Sequence, residues 1–489
     1  QQDTGLLNGS IQASQDISFD AMRVKQQQFS NIVTSDPAIQ SDICFIGGNN
    51  AMNNGRMFMM LRPLSVRKIS ADQVIQRLRK KLAVVSGATL YLQANQDIRV
   101  GGRQSNGQYQ YTLETESLPD LDQWSPVMLE KLKALPQLKD VSTDQQNQGL
   151  AADLVIDRDT ASRLGLDAAT IDNTLYDAFG QRQVSTVFTQ LNEYHLVMEV
   201  APQFQRDPDA LQSIYLRSAS GTQVPLSAFS HFAPLNTPLA VNHQGQFPAV
   251  TISFNLAPGV SLGQAVNAVN SVANAAHMPA TINATFQGTA QAFQVSLENM
   301  PVLIGTAFFA VYIVLGMLYE SYIHPITILS TLPSAGVGAF LALIITHNDL
   351  SVMADIGIIL LIGIVKKNAI MMVDFALDVE RKEGKSPEEA IYQACLLRFR
   401  PIMMTTAAAI LGGLPLALGT GTGSELRRPL GISIVGGMIV SQMLTLFTTP
   451  IVYLYMDRFR AYWSRRKEAR PRLRGAADVH PSPLPRTGD

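Results

Sequence analysis

Four stretches of this chain, residues 301–319, 325–346, 401–424 and 429–456, contain no Asp, Glu, Lys or Arg. Each is long enough to cross about 30 Å of hydrocarbon as a helix, which takes about 20 residues. A fifth apolar stretch, Leu360-Leu-Ile-Gly-Ile-Val-Lys-Lys-Asn-Ala-Ile-Met-Met-Val-Asp-Phe-Ala376, holds two adjacent lysines. Five such spans predict a helical membrane bundle for the second part of the chain. The Lys/Arg-rich segments between and after them, Glu380-Arg-Lys-Glu-Gly-Lys385 to Arg398-Phe-Arg400 and Arg458-Phe-Arg460 to Arg474, fit the cytoplasmic side. Everything before residue 301 is then extracytoplasmic. An odd number of spans agrees, because it carries a chain from an external amino end to a cytoplasmic carboxyl end.

Whole-chain composition hides this division. A charged fraction of 16%, an apolar fraction of 46% and a net charge of −1 average a wettable first part with an apolar second, so the two are read separately. No export signal opens the chain and Gln1 stands in first place, which together with an extracytoplasmic first part predicts the carboxyl-terminal portion of a longer polypeptide. Cys44 and Cys395 fall on opposite sides of the membrane, so neither a disulfide nor a cysteine metal site follows from them.

The first 300 residues alternate short strands with amphipathic helices. Ser70-Ala-Asp-Gln73 reads as a capping box for a helix through Val74, Leu78 and Leu82, followed by a strand over 89–94. Residues 109–114 read as a strand before a helix around 127–135. Residues 183–190, a loop at Leu191-Asn192, and Tyr194, Leu196, Met198 and Val200 on alternate positions read as a hairpin. Pro258-Gly-Val-Ser-Leu-Gly263 introduces a helix over 265–276, and 281–287 closes as a strand. The order suits ferredoxin-like βαβ units interrupted by a hairpin-bearing insertion. The fold class expected is therefore α+β subdomains followed by an all-α bundle of five transmembrane helices.

A lysine near the bilayer centre costs about 2.5 to 3.5 kcal/mol, so an intramembrane cation marks a functional position. Neighbouring helical residues point about 100° apart, and the two lysines cannot serve one site equally. Lys367 shares its face with Gly363, Met371 and Asp374. Lys366 looks toward Ile362, Ile370 and Val373, and snorkelling to an interface is its alternative role. Signatures of catalysis are poor. The seven histidines show no HExxH or paired-ligand spacing, and Gly384-Lys-Ser386 lacks the upstream glycine of a phosphate loop. Gly419-Thr-Gly-Thr-Gly423 follows a membrane span instead of a strand, which makes it a turn and not a nucleotide loop. Met52, Met57, Met59 and Met60 have the thioethers that select Cu(I) or Ag(I), yet Met57 and Met59 alternate as strand core residues do, and Arg56 beside them would repel a cation. Enzyme activity, a metal, an organic cofactor and a nucleic-acid partner are not expected.

Several motifs in order carry a family resemblance. Gly363-Ile-Val-Lys-Lys-Asn-Ala-Ile370, Arg398-Phe-Arg-Pro-Ile-Met-Met-Thr405, Leu318-Tyr-Glu-Ser-Tyr322 and Gly436-Gly437 resemble the membrane half of resistance-nodulation-division efflux pumps, in the hydrophobe/amphiphile branch typified by AcrB. Asp157-Arg-Asp-Thr-Ala-Ser-Arg-Leu-Gly-Leu166, with Ile171 and Leu175, and Val224-Pro-Leu-Ser-Ala-Phe229 resemble that family's docking signatures. The resemblance runs to about Arg474 and is greatest to the MdtB/MdtC type. It implies a drug/proton antiporter of a bacterial inner membrane, using the proton gradient and no cofactor. The partners implied are the amino-terminal half of the same polypeptide, a uniform or mixed trimer, a periplasmic adaptor, an outer-membrane channel and small amphiphilic substrates. The resemblance also divides the chain. It implies a porter subdomain over 1–100, a second over 101–144 and 242–288, and a docking subdomain over 145–241. The apolar runs put transmembrane helices at 298–319, 325–346, 353–375, 400–419 and 429–456, with a cytoplasmic amphipathic segment at 377–397 and a disordered basic tail at 457–489.

By the same resemblance, a proton relay uses Lys367, Arg398 and Thr405, while its two aspartates belong to the amino-terminal half. A lysine between carboxylates can change partners as one of them takes up and releases a proton, and a hydroxyl can bridge the exchange. The family's substrate pocket is rich in phenylalanine. The matching strand here reads Leu90-Tyr-Leu-Gln-Ala-Asn95, with Tyr91, Gln93 and Asn95 expected to face the pocket, and the switch-loop counterpart Gly47-Gly-Asn-Asn-Ala-Met-Asn-Asn54 has no aromatic residue. Such a pocket favours substrates with hydrogen-bonding groups over flat lipophilic cations. The leading reading is a proton-driven efflux subunit. A second is an obligate partner subunit of a mixed trimer that supports assembly or coupling without binding substrate. A heavy-metal pump or a SecD/SecF-type export motor comes last, and the docking signature at 224–229 speaks against the motor.

Overall fold

The computed structural model describes residues 2–47, 51–97, 101–205, 212–421 and 423–468. Strand β1 (Leu6–Ala13) turns Leu7, Ile11 and Ala13 inward on alternate positions. Helix α1 (Phe19–Thr34) starts where the Ser18 hydroxyl accepts the Ala21 N–H, and β2 (Ile39–Ile46) pairs with β3 (Asn54–Leu61). After the single turn α2 (Leu64–Arg67), Ser70 and Gln73 close a reciprocal capping box on α3 (Ala71–Leu82), which buries Val74, Leu78 and Leu82. Strand β4 (Ala88–Ala94) completes a sheet in the order β2-β3-β1-β4. Met57 and Met59 lie fully inside its core, so they act as packing residues.

A second unit begins with β5 (Tyr109–Glu114), α4 (Leu118–Lys133) and β6 (Leu138–Thr143). The chain then leaves it for an insertion: β7 (Gly149–Ile156), α5 (Arg158–Arg163), α6 (Ala168–Phe179), β8 (Arg182–Phe188), β9 (Glu193–Met198), β10 (Tyr215–Arg217), β11 (Gln223–Pro225) and β12 (Ser230–Thr237). This insertion has a small core of its own around Leu166, Ile171, Leu216, Leu226 and Phe229. Its β8–β9 hairpin stands away from that core and is exposed along β9. Strands β13 (His243–Gln244) and β14 (Phe247–Leu256), helix α7 (Leu262–Ala276) and β15 (Asn283–Gln287) return to the second unit. Its sheet runs β13-β14-β5-β15 with β6 also on β14, and Leu113, Ile252 and Phe254 pack on Met128, Leu132 and Val269. Every ladder among the described residues is antiparallel, because each helix connects strands that are not neighbours in the sheet.

Asp144 clamps the junction where the chain enters the insertion. It accepts the Thr251 N–H at 2.7 Å and the Asn242 amide at 3.0 Å, with the Arg103 guanidinium at 3.8 Å. Burial pushes its carboxyl up to about 6 despite those donors. The folded protein thus holds this proton to a higher pH than the unfolded chain does. Stability is full below the ordinary carboxyl value and is lost as pH rises through about 6. With 31% of the side chain exposed, the loss is on the order of 1 to 2 kcal/mol. Thermal melts of full-length Asp144→Asn between about pH 4 and 7 should be flatter than wild type by this amount. An unchanged slope would detach the effect from Asp144.

The last part of the chain is helical. Helix α8 (Thr289–Tyr319) leads to α9 (His324–Leu329) and α10 (Leu332–Ile345), which share one span, and then come α11 (Val352–Glu383), α12 (Pro387–Ala417) and α13 (Ser424–Glu468). Among the described residues, five helices are long and apolar enough to cross a membrane. Three boundaries differ from the sequence reading. Segment 377–397 is not a separate amphipathic element: α11 runs to Glu383 and ends on Gly384 in the left-handed conformation, and α12 starts at once behind the Ser386 cap with Pro387 in its first turn. The tail expected to be disordered from 457 continues as helix to Glu468, since nothing between 456 and 468 breaks a helix. The rest of the tail lies outside the described residues. Helix α8 also starts earlier than 298, growing directly out of the second sheet after β15.

Candidate functional site

Three helices meet around a cavity of about 90 Å3. Helix α11 contributes Lys367 and Asn368, α12 contributes Thr405 and Thr406, and α13 contributes Ser441 and Gln442, with Ile364, Val365, Ala409 and Met438 as apolar wall. The space is both polar and roomy enough for water. Lys367 is exposed on the open side of this cavity, and no hydrogen bond or ion pair reaches its ammonium among the described residues. Lys366 is half-buried and does not line it. Thr405 reaches the cavity while its hydroxyl donates to the Ile402 carbonyl at 3.1 Å.

Behind Lys367 lies a network that the sequence reading missed. The Asn368 amide donates to Thr406 Oγ1 at 2.8 Å and to Gln442 Oε1 at 2.9 Å, and the Thr406 hydroxyl donates to the same Gln442 oxygen at 2.8 Å. Three bonds therefore tie α11, α12 and α13 at one level. The signal was present in the sequence: an amide inside an apolar span must find a partner or bear a desolvation cost. Arg398 stands elsewhere. Its guanidinium lies 4.8 Å from the Phe375 ring centre, and its Nε is buried without an acceptor. Seven residues of α12 separate it from Thr405, about 10 Å along the helix, so Lys367 and Thr405 come together and Arg398 does not.

A second cavity, also of about 90 Å3, lies between the first and second sheets. Leu90, Leu92 and Ala94 turn into the core, which sends Tyr91 and Gln93 to the other face of β4. Gln93 lines the cleft, and its amide donates to the Ser105 carbonyl at 2.9 Å. Tyr91 is half-buried outside the lining, and Asn95, beyond the end of β4, accepts from the Asn8 amide at 3.0 Å instead of facing the cleft. Residues that the sequence reading did not place there complete the wall, chiefly Asn8, Ser10, Arg56 and Phe58 from the first sheet and Arg103 and Gln110 from the second unit. Phe58 gives the cleft an aromatic face, with Phe45 edge-on to it at 6.3 Å. Residues 48–50 of the switch-loop counterpart lie outside the described residues. Among the described residues no group of three or more His, Cys, Asp or Glu side chains is placed to hold a metal ion.

The sequence profile of the AcrB/AcrD/AcrF family matches residues 1–457. Multidrug resistance protein MdtC of Salmonella typhi is 55% identical over 471 residues, covering 96% of this chain and 46% of that protein. The protein of the same name from Salmonella typhimurium matches with the same identity and coverage. The chain thus spans about half the length of these relatives. Two crystal forms of a heavy metal efflux pump share the fold with TM-scores of 0.80 and 0.81, over 93% and 94% of this chain and 47% and 48% of theirs. At 22% and 21% identity that likeness concerns fold alone. A profile match over nearly the whole described chain, together with these relatives, leads to one conclusion: the chain belongs to the AcrB/AcrD/AcrF family.

Proposed function

We propose that this chain is part of an inner-membrane, proton-driven multidrug efflux transporter that exchanges drugs for protons and exports them through a tripartite envelope complex. The observation that carries the reading is Lys367, an ammonium with no partner among the described residues, beside Thr405 on a polar cavity roomy enough for water between three apolar helices. Such a cation has one economical use: it pairs with carboxylates supplied by the rest of the polypeptide and lets go when one of them takes a proton. Thr405 and cavity water can then carry the proton, and the Asn368–Thr406–Gln442 bonds keep both groups on the same cavity. Arg398, two turns away on α12, belongs in this reading at the cytoplasmic mouth of the path. The relatives' name, multidrug resistance protein, supports the same cargo class.

The rest of the chain fits this reading. The β2-β3-β1-β4 order with helices after the first and third strands suits a ferredoxin-like porter subdomain, the second sheet a second porter, and the insertion a docking subdomain for the adaptor and outer-membrane channel in a trimer. Basic residues on the α11–α12 turn and at the end of α13 support an orientation with those ends in the cytoplasm and the sheets in the periplasm. The test is reconstitution of the full-length protein in liposomes, with dye movement followed against an imposed pH gradient. Gradient-independent dye movement, or none, would overturn the antiport reading.

The cleft supplies a specificity prediction. Gln93→Phe adds a stacking face beside Phe58 and deletes an amide, each change being on the order of 1 kcal/mol. Efflux of flat lipophilic dyes should rise several-fold and that of polar drugs should fall, read as inhibitory concentrations in a strain whose only such pump carries the substitution. An unaltered profile, in a strain where Lys367→Ala still abolishes efflux, would assign this subunit to supporting a partner.

A further inference from the structure

Asp355, in the first turn of α11, has no place in the relay around Lys367. The residue is 3% exposed, and neither carboxylate oxygen has a hydrogen-bond partner among the described residues. The packing around it is tight. Its neighbour Ala354 lies in a core with Leu343, Ala417 and Ile432, and a Cβ on Gly357 would sit 2.1 Å from Ser433 Oγ. Ala354 and Gly357 thus pack on α10, α12 and α13, and the 3% exposure of Asp355 itself means that another part of the polypeptide cannot reach the carboxyl from outside without the helices moving. Helix α10 carries no ionisable side chain, nor does α12 from 401 to 417. The ionisable groups at this end of the bundle include Glu298 in α8, His347 and Asp349 in the loop before α11, and Glu425, Arg427 and Arg428 at the start of α13. None of them pairs with Asp355.

An ionised carboxylate without a donor, held away from water, costs several kcal/mol, whereas a helix N-terminus returns on the order of 1 kcal/mol. Evolution of a bundle has many apolar residues to offer at such a position, and an ionisable one inside a membrane span is a functional group by default. Twelve residues of α11, about 18 Å of helix, separate Asp355 from Lys367, too far for the two to pair. We propose that Asp355 is a second proton-binding site of the transporter, distinct from the Lys367 relay. Its carboxylate takes a proton from water at the periplasmic end of the bundle, carries it as the neutral acid in the packed arrangement described here, and returns it to water when α11 shifts against α10 and α13. One O–H bond forms and the same bond breaks, with no other reactant. This rests on the proton-driven reading given above.

The test uses the full-length protein in native membranes and the lipid-soluble carbodiimide dicyclohexylcarbodiimide, which adds covalently to protonated carboxyls in apolar surroundings. Peptide mapping by mass spectrometry should find the adduct on Asp355 when a pH gradient is imposed, and less of it as the external pH is raised. Asp355→Asn keeps the shape of the neutral acid and cannot release a proton. It should lose gradient-driven transport while retaining membrane level, trimer assembly and substrate binding. No adduct at Asp355 under an imposed gradient, or wild-type transport by Asp355→Asn, overturns the proposal. A wild-type protein that labels at Asp355 yet moves no dye against a gradient would instead overturn the antiport reading and leave the proton site standing.

Discussion

Replacing Lys367 with Ala in the full-length protein should abolish gradient-driven efflux while leaving the protein in the membrane at its normal level. The two halves of that expectation have different causes. Removing an ammonium from an apolar helix relieves an insertion cost of about 2.5 to 3.5 kcal/mol, and no described residue loses a hydrogen bond or ion pair, so folding of the bundle has nothing to lose. Coupling does. Without the cation, the carboxylates that it would pair with lose their electrostatic reason to alternate between proton and lysine. Lys366→Ala should be mild by comparison, because Lys366 lies a third of a turn away and does not line the cavity. Dye extrusion from cells expressing each variant at matched levels decides between them. Wild-type extrusion by the Lys367 variant, or equal losses from both substitutions, would remove Lys367 from the relay.

What the sequence displayed and what it concealed follow a physical divide. Local chemistry was legible: the Ser70–Gln73 capping box, the β8–β9 hairpin around Leu191-Asn192 and the inward alternation of Met57 and Met59 all depend on neighbours within a few residues. Charge-free runs announced the spans for the same reason. Helix ends were less legible: the sequence reading set bounds at 377–397 and 457, whereas the break falls at the Gly384 and Ser386-Pro387 signals and the last helix runs on to Glu468. The sites depend on register between elements far apart in sequence. Alternation along β4 turns Tyr91 and Gln93 away from the core, but which of them meets open space is decided by Ser105 and Arg103 on another unit. Asn368, Thr406 and Gln442 converge only because α11, α12 and α13 cross where they do. The isolation of Asp355 is likewise a property of three neighbouring helices and not of its own.

That crossing is held by glycines, and Gly436→Ala should be strongly destabilising. A Cβ at Gly436 would sit 2.1 Å from Ala342 Cβ, one at Gly437 2.2 Å from Leu361 Cδ2, and one at Gly338 2.6 Å from Val440 Cβ. Helices α10, α11 and α13 therefore touch backbone to backbone, as they must in lipid, where close packing between small residues replaces the hydrophobic effect. Alanine is otherwise the better helix former by about 1 kcal/mol, so a loss on substitution isolates the clash. Pushing α13 off α10 by an ångström or more also displaces Gln442, under two turns further along, and breaks its bonds to Asn368 and Thr406. Overpacking and those bonds together make the penalty on the order of 3 kcal/mol or more. Gly363→Ala is the control, because nothing lies within 4 Å of its Cβ position, and it should melt like wild type. The double variant Gly436→Ala with Ala342→Gly restores the space on the opposite helix and should recover most of the loss in thermal melts of the purified protein, with dye efflux returning alongside. If Gly436→Ala melts normally, or if Ala342→Gly brings no recovery, the α10–α13 contact does not set the position of the relay cavity.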